Sequence, residues 1–224
     1  AVFLAALLVF SAGCTTAPSP AQPVTPAPAA PTTQVTVDDA KLAETIAWLD
    51  TAAEQQRRDW NIPGMAVAVV KDGKVVFAKA YGTKRYGGTD PVTTDSVFEI
   101  GSTSKAFTST LVAQEVDKGH MNWTDPMIWH IPTFKMKDPN VTREYSITDS
   151  MAQRSGIPNN WGLDVVIMGY NRSEAIHALR AAEPAGTFRT DYMYQNIPWL
   201  AAAAAVEKTS TKSWEENLRT EIFT

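Results

Sequence analysis

The sequence predicts a mixed α/β fold of the α+β type, an antiparallel strand pair accompanied by helices, on three observations. Two β-prone runs, residues 65–70 and 74–80, are separated by Lys71-Asp72-Gly73, and Asp-Gly suits a tight hairpin turn because it tolerates positive φ. Apolar residues at helical spacing precede this pair, and further helical patterns follow it to the end of the chain. The 224 residues are 44% hydrophobic, enough to bury a core in one domain of ordinary size or two small ones.

The first charged residue is Asp38, and the uncharged stretch before it has two unlike parts. Residues 1–10 are wholly apolar, too short to span a bilayer as a helix but suited to the apolar region of a secretory signal. The basic start and initiating Met of a signal are missing, so residues 1–14 read as a partial signal. Ser11-Ala12-Gly13-Cys14 resembles the lipobox of bacterial lipoproteins, which implies acylation of Cys14. Ser11 departs from the usual leucine, and the alternative is a plain cleavage site nearby. Residues 15–37 read as a linker. Its residues 15–33 hold six prolines, Pro18, Pro20, Pro23, Pro26, Pro28 and Pro31, which favour extended conformations that cannot pack, with a reach of about 60 Å at about 3.1 Å per residue.

A domain is expected over residues 38–224. Asp38 and Asp39 cap a helix in which Leu42, Ile46, Leu49 and Ala53 form one apolar stripe, and Asn61-Ile62-Pro63-Gly64 ends it. The hairpin follows, then a Gly-rich loop over residues 81–94. A helix begins near Ser102 or Thr103, carries Phe107, Thr110, Leu111 and Gln114 on successive turns, and stops at Gly119. Helical or loop-like segments continue, including an Ala-rich helix over about residues 199–208, close-packed rather than membrane-spanning. Ser213-Trp214-Glu215-Glu216 has the pattern of a capping box.

Composition excludes several functions. Lys plus Arg number 20 and Asp plus Glu 24, giving a net charge of -4 with no basic block, which argues against nucleic-acid binding. A single cysteine and three histidines exclude an intrachain disulfide and a Cys/His zinc cluster, so no metal or cofactor is expected. No Gly-x-Ser-x-Gly elbow is present, and Gly87-Gly88 lacks a P-loop lysine. His120, His130 and His177 read as surface or packing residues.

The chemistry candidate is Ser102-Thr103-Ser104-Lys105, with serine and lysine one turn apart on a single helix face. A serine hydroxyl becomes a useful nucleophile when a base within hydrogen-bond reach takes its proton. The helix N-terminus adds positive potential where an oxyanion would form. The pattern is common by chance, and its alternative reading is an N-cap serine beside a solvated lysine.

The surrounding residues resemble the penicillin-recognising serine hydrolases, the class C β-lactamase and D-Ala-D-Ala carboxypeptidase type with its related esterases. Residues 62–74 are similar to that family's first hairpin, and Phe98-Glu99-Ile100-Gly101-Ser102-Thr103-Ser104-Lys105 to its nucleophile motif. Residues 119–126, Ile131-Pro132, Ile147-Thr148-Asp149 and residues 153–158 resemble later landmarks in the same order, and Tyr194-Gln195-Asn196 matches the Tyr-x-Asn motif. The resemblance implies that Ser102 is the acylated nucleophile, that Lys105 and Tyr194 share the proton transfers, and that Asn196 positions substrate or Lys105. A packing tyrosine is the alternative for Tyr194. The family's sheet is antiparallel, with helices on both faces and an inserted helical region. Its third motif, Lys or His followed by Thr or Ser and Gly, has no match after Tyr194. The resemblance therefore implies a chain truncated before its central strands, active only in its full-length form. Thr209-Ser210-Thr211 departs from members that place glycine after the helix, so a strained turn is expected there.

The function expected from these readings is an exported serine hydrolase, periplasmic or on the cell surface, held to a bacterial membrane by lipid at Cys14. Its substrate would be a small-molecule or peptide amide or ester: a β-lactam, a D-Ala-D-Ala peptide or a small ester. Two other functions compete: a non-catalytic envelope protein using the fold as a binding module, and a lipoprotein whose helices form a docking surface.

Overall fold

The computed structural model describes residues 39–223. The signal, Cys14, the proline-rich linker and Asp38 of the first cap lie outside the described residues. The chain divides into two compact units, one ending at Ser96 and one beginning at Val97.

In the first unit, α1 spans Asp39–Asp59. Leu42, Ile46 and Leu49 are half-buried and Ala53 is buried, so the expected stripe is the inward face. Asp39 in the first turn and Arg57 and Arg58 in the last suit the helix dipole. Asn61, at φ 52°, then reverses the chain, and Ile62 N–H bonds back to the Arg57 carbonyl at 2.9 Å. Strands β1 (Gly64–Lys71) and β2 (Lys74–Gly82) pair antiparallel, with Lys71 opposite Lys74. Asp72 and Gly73 both take positive φ, 51° and 71°, the two-residue turn that this dipeptide predicts. A register shift at Val69/Val70 marks a bulge. Asp50 of α1 accepts hydrogen bonds from Lys79 (2.7 Å) and Tyr81 (2.8 Å), tying the helix to β2.

The second unit is helical. A 3₁₀ turn, Gly101–Thr103, leads into α2 (Ser104–Asp117). Short helices follow: α3 (Met127–His130), α4 (Pro139–Glu144), α5 (Ile147–Met151), α6 (Leu163–Ile167) and α7 (Arg172–Ala178). The chain closes with α8 (Ile197–Ser210), α9 (Trp214–Asn217) and a π-helical turn, Leu218–Ile222. Local caps set many of these boundaries. Ser146 with Asp149 and Asn171 with Glu174 form reciprocal capping boxes, two patterns the sequence reading passed over. Ser213 accepts from the Glu216 N–H, half of the box expected there, while the Glu216 carboxylate meets Arg219 at 3.2 Å instead.

The core lies where α2 packs on α8. Leu111 and Val112 of α2 are buried, as are Ala201, Ala202, Ala205 and Val206 of α8, whose small side chains let the helices approach closely. The Tyr145 ring stacks on Phe134 and Phe188, with centroids 5.2 and 5.8 Å away. Helix α8 starts before Trp199 because Pro198 is tolerated in a first turn. It ends at Thr211 with φ 60°, a left-handed position that glycine would occupy without strain, as expected from the sequence. No described helix is long and apolar enough to cross a membrane.

Candidate active site

The site is built from the start of α2 and the segment entering α8. Ser102 lies in the 3₁₀ turn, and Lys105 is in the first turn of α2. Ser102 does not cap the helix: its hydroxyl contacts the Tyr194 hydroxyl and accepts from Lys105 Nζ at 2.9 Å. Lys105 is not a solvated lysine either. Its ammonium donates to Ser102 Oγ, to Tyr194 Oη at 2.9 Å and to Asn196 Oδ1 at 2.8 Å. A lysine ammonium has three N–H groups, and these three acceptors use them all. The four residues singled out in the sequence therefore meet at one nitrogen.

Lys105 Nζ also lies 4.8 Å from the Tyr194 ring centroid and 5.9 Å from that of Trp199, within cation–π range. The hydrogen bond from Lys105, then that involving Ser102, holds the Tyr194 phenol below its ordinary ionisation range. A cavity of about 360 Å³ opens beside Ser102, Lys105 and Asn196, walled by Trp199, Leu200 and Trp214.

The segment carrying Tyr194 and Asn196 is held by residues 153–160. Tyr194 N–H donates to Asn159 Oδ1 at 2.6 Å, and its carbonyl accepts from Asn160 N–H at 2.9 Å. Gln153 brackets the next residue: Gln195 N–H donates to Gln153 Oε1 at 2.6 Å, and Gln153 Nε2 donates to the Gln195 carbonyl at 3.1 Å. The Gln195 side chain turns inward and donates to the Ile157 carbonyl at 2.9 Å. Gly156 allows residues 153–160 to fold over this segment, because it sits at φ +77° and a Cβ would lie 2.7 Å from the Gly186 carbonyl oxygen. Gln153, Asn159 and Gln195 were not picked out from the sequence as site residues. Their only signal was that Gln153 and Gln195 stand within segments carrying the family resemblance.

A second anchor is charged. Arg189, at φ 64°, places its guanidinium on Asp149, with Nε 3.0 Å from Oδ1 and Nη2 2.8 Å from Oδ2. Burial opposes ionisation of Asp149, but Arg189 and the Ser146 backbone and hydroxyl donors outweigh it and hold the carboxyl below its usual range. Two of the three histidines pair with carboxylates. His120 Nδ1 meets Glu115 at 2.9 Å and His130 Nε2 meets Asp125 at 3.1 Å, each carboxylate lying five residues earlier. Among the described residues, no group of three or more His, Cys, Asp or Glu could hold a metal ion.

At the start of α2 a serine hydroxyl thus stands within hydrogen-bond reach of a tyrosine oxygen and a lysine ammonium, groups that could take and return its proton. Residues 49–224 match the model of the Beta-lactamase family, and the chain belongs to that family of serine hydrolases. It is 27% identical over 168 residues to Protein flp of Staphylococcus aureus (strain NCTC 8325 / PS 47), covering 74% of this chain and 34% of the relative. It is 30% identical over 168 residues to Penicillin-binding protein 4 of Amycolatopsis lactamdurans, covering 75% and 44%. A solved class C beta lactamase superposes with a TM-score of 0.64 at 26% identity, covering 83% of this chain and 49% of that one. The mixed α/β fold expected from the sequence is thus that of the β-lactamase family. The chain spans about a third of the length of Protein flp.

Proposed function

We propose that this chain supplies the nucleophile half of a serine hydrolase that works through an acyl-enzyme. The observation that carries the reading is the single ammonium of Lys105, bonded at 2.9, 2.9 and 2.8 Å to the oxygens of Ser102, Tyr194 and Asn196. Ser102 Oγ attacks the carbonyl carbon of an amide or ester as its proton passes to the Tyr194 phenolate. A C–O bond forms, and the carbonyl π pair moves to oxygen beside the positive end of α2. When the carbonyl reforms, the bond to the leaving nitrogen or oxygen breaks, and that atom takes the proton from Tyr194. Water then attacks the acyl carbon as its proton passes to Tyr194; the bond from that carbon to Ser102 Oγ breaks, releasing the carboxylic acid, and Tyr194 returns the proton to Ser102 Oγ. The Lys105 hydrogen bond to the Tyr194 oxygen favours phenolate over phenol, and Asn196 holds Lys105 and faces the substrate.

The substrates proposed are β-lactams, D-Ala-D-Ala peptides or small esters, a choice supported by the family and by relatives named as a β-lactamase and a penicillin-binding protein. Export and anchoring through an acylated Cys14 belong to the same proposal. Labelling with an alkynyl fatty acid should mark the intact protein, and Cys14→Ser should abolish the mark.

The catalytic reading is tested by intact-mass analysis after treatment with a fluorophosphonate or a penicillin. An adduct on Ser102, absent in Ser102→Ala, supports it. Absence of adduct with both reagents overturns it.

A further inference from the structure

We infer that Gln153 is a positioning residue that aims both Tyr194 and Asn196 at Lys105, by clamping the backbone N–H and carbonyl of the residue between them. The inference rests on the hydrolase reading for its kinetic consequence, although the clamp itself is geometric.

Tyr194 and Asn196 must reach one ammonium while the intervening Gln195 is buried at 1% exposure. That division depends on the rotation of the Gln195 backbone. Gln153 controls this rotation from both sides, since its amide oxygen accepts from Gln195 N–H and its amide nitrogen donates to the Gln195 carbonyl. Its own backbone carbonyl accepts from Met193 N–H at 2.8 Å, so one residue grips the segment at three points just before and at the site. A neutral side-chain amide can bond both the N–H and the carbonyl of one residue, whereas a carboxylate can only accept.

Gln153 itself adopts φ 59°, a region that non-glycine residues rarely occupy, and it is 7% exposed. Such a conformation persists where the surroundings over-determine it, and residues of this kind cluster at functional sites. Neither Gln153 nor Gln195 touches Ser102 or the cavity beside it among the described contacts. Gln153 therefore acts through the residues it holds. A displacement of about 1 Å in a reacting group can lower a rate about 100-fold, which is the scale expected if the clamp is released.

The test compares Gln153→Met and Gln153→Glu in the intact protein. All three side chains are unbranched and similar in length, and all three residues face the same backbone conformation. Methionine removes both clamp bonds; glutamate keeps the acceptor for Gln195 N–H, and so supports the fold, but loses the donor. Two readouts are used. Ultraviolet difference titration against Tyr194→Phe isolates the ionisation of Tyr194 and needs no catalytic activity. The rate of fluorophosphonate labelling at Ser102 reports the assembled site.

The expected result is that Gln153→Met moves Tyr194 ionisation to higher pH and slows labelling about 100-fold, with Gln153→Glu intermediate in both. Unchanged Tyr194 ionisation and labelling in folded Gln153→Met overturns the inference. If Gln153→Met does not fold, a Gln153→Glu variant with wild-type ionisation and labelling overturns it equally. If wild-type protein is never labelled, the hydrolase reading fails, and the titration alone still decides the clamp.

Discussion

The Lys105 ammonium donates to Asn196 Oδ1 at 2.8 Å while its other two hydrogens point to Ser102 and Tyr194. The amide of Asn196 thereby holds the cation without competing for its charge. Asn196→Asp should alter that balance, since a carboxylate beside Lys105 opposes a phenolate on Tyr194. Tyr194 ionises below its ordinary range because of Lys105, so labelling should fall as pH drops through that lowered value. In Asn196→Asp the same fall should occur at higher pH. Lys105→Met should slow labelling by about 10²–10⁴-fold at neutral pH, measured as the rate of Ser102 adduct formation.

Asp149 predicts how the fold responds to acid. Its carboxyl is held below its usual value of 3.8 once burial is offset by Arg189 and Ser146. A depressed folded-state value means that the contribution is complete above about pH 4 and lost as pH falls below it towards the folded value. Urea unfolding at pH 7 and pH 3 should show this loss in wild type and less of it in Asp149→Asn. Arg189→Leu should destabilise the protein at pH 7 by about 1–3 kcal/mol, discounted because the arginine is half-exposed while the remaining carboxylate is buried.

Thr211 ends α8 at φ 60° with a β-branched side chain. Thr211→Gly should relieve that conformation and stabilise the fold by about 1 kcal/mol, raising Tm by about 2–4 °C. A thermal melt checks it, and a lowered Tm would refute the strain argument.

Gly156→Ala should have the opposite effect. The added Cβ meets the Gly186 carbonyl oxygen at 2.7 Å in a backbone conformation already unfavourable for alanine, so a loss of about 2 kcal/mol or more is expected. Because residues 153–160 hold the Tyr194 segment, Ser102 labelling should slow as well, even at temperatures where the variant remains folded.

Much of the fold was legible where neighbours in sequence are neighbours in space. The Asp72-Gly73 turn needed only positive φ, and the stripe of Leu42, Ile46, Leu49 and Ala53 only helical spacing. The Ser102–Lys105 contact follows from one helical turn. The capping boxes at Ser146 and Asn171 were equally local and could have been read. The pairing of His120 with Glu115 and His130 with Asp125 was harder to read, because a five-residue separation matches no regular helical face.

The sequence by itself determined the hairpin, the main helices, the strained end at Thr211 and, through resemblance, the four side chains of the candidate site. Only the tertiary structure decided that Tyr194 and Asn196 meet Lys105 across 89 and 91 residues, and that Gln153 clamps Gln195 across 42. The reason is physical: a turn or helix face is set by backbone dihedrals within a few residues. A polar contact between distant segments exists only once packing of α2 against α8, and of residues 153–160 over the chain entering α8, has placed donor and acceptor within reach.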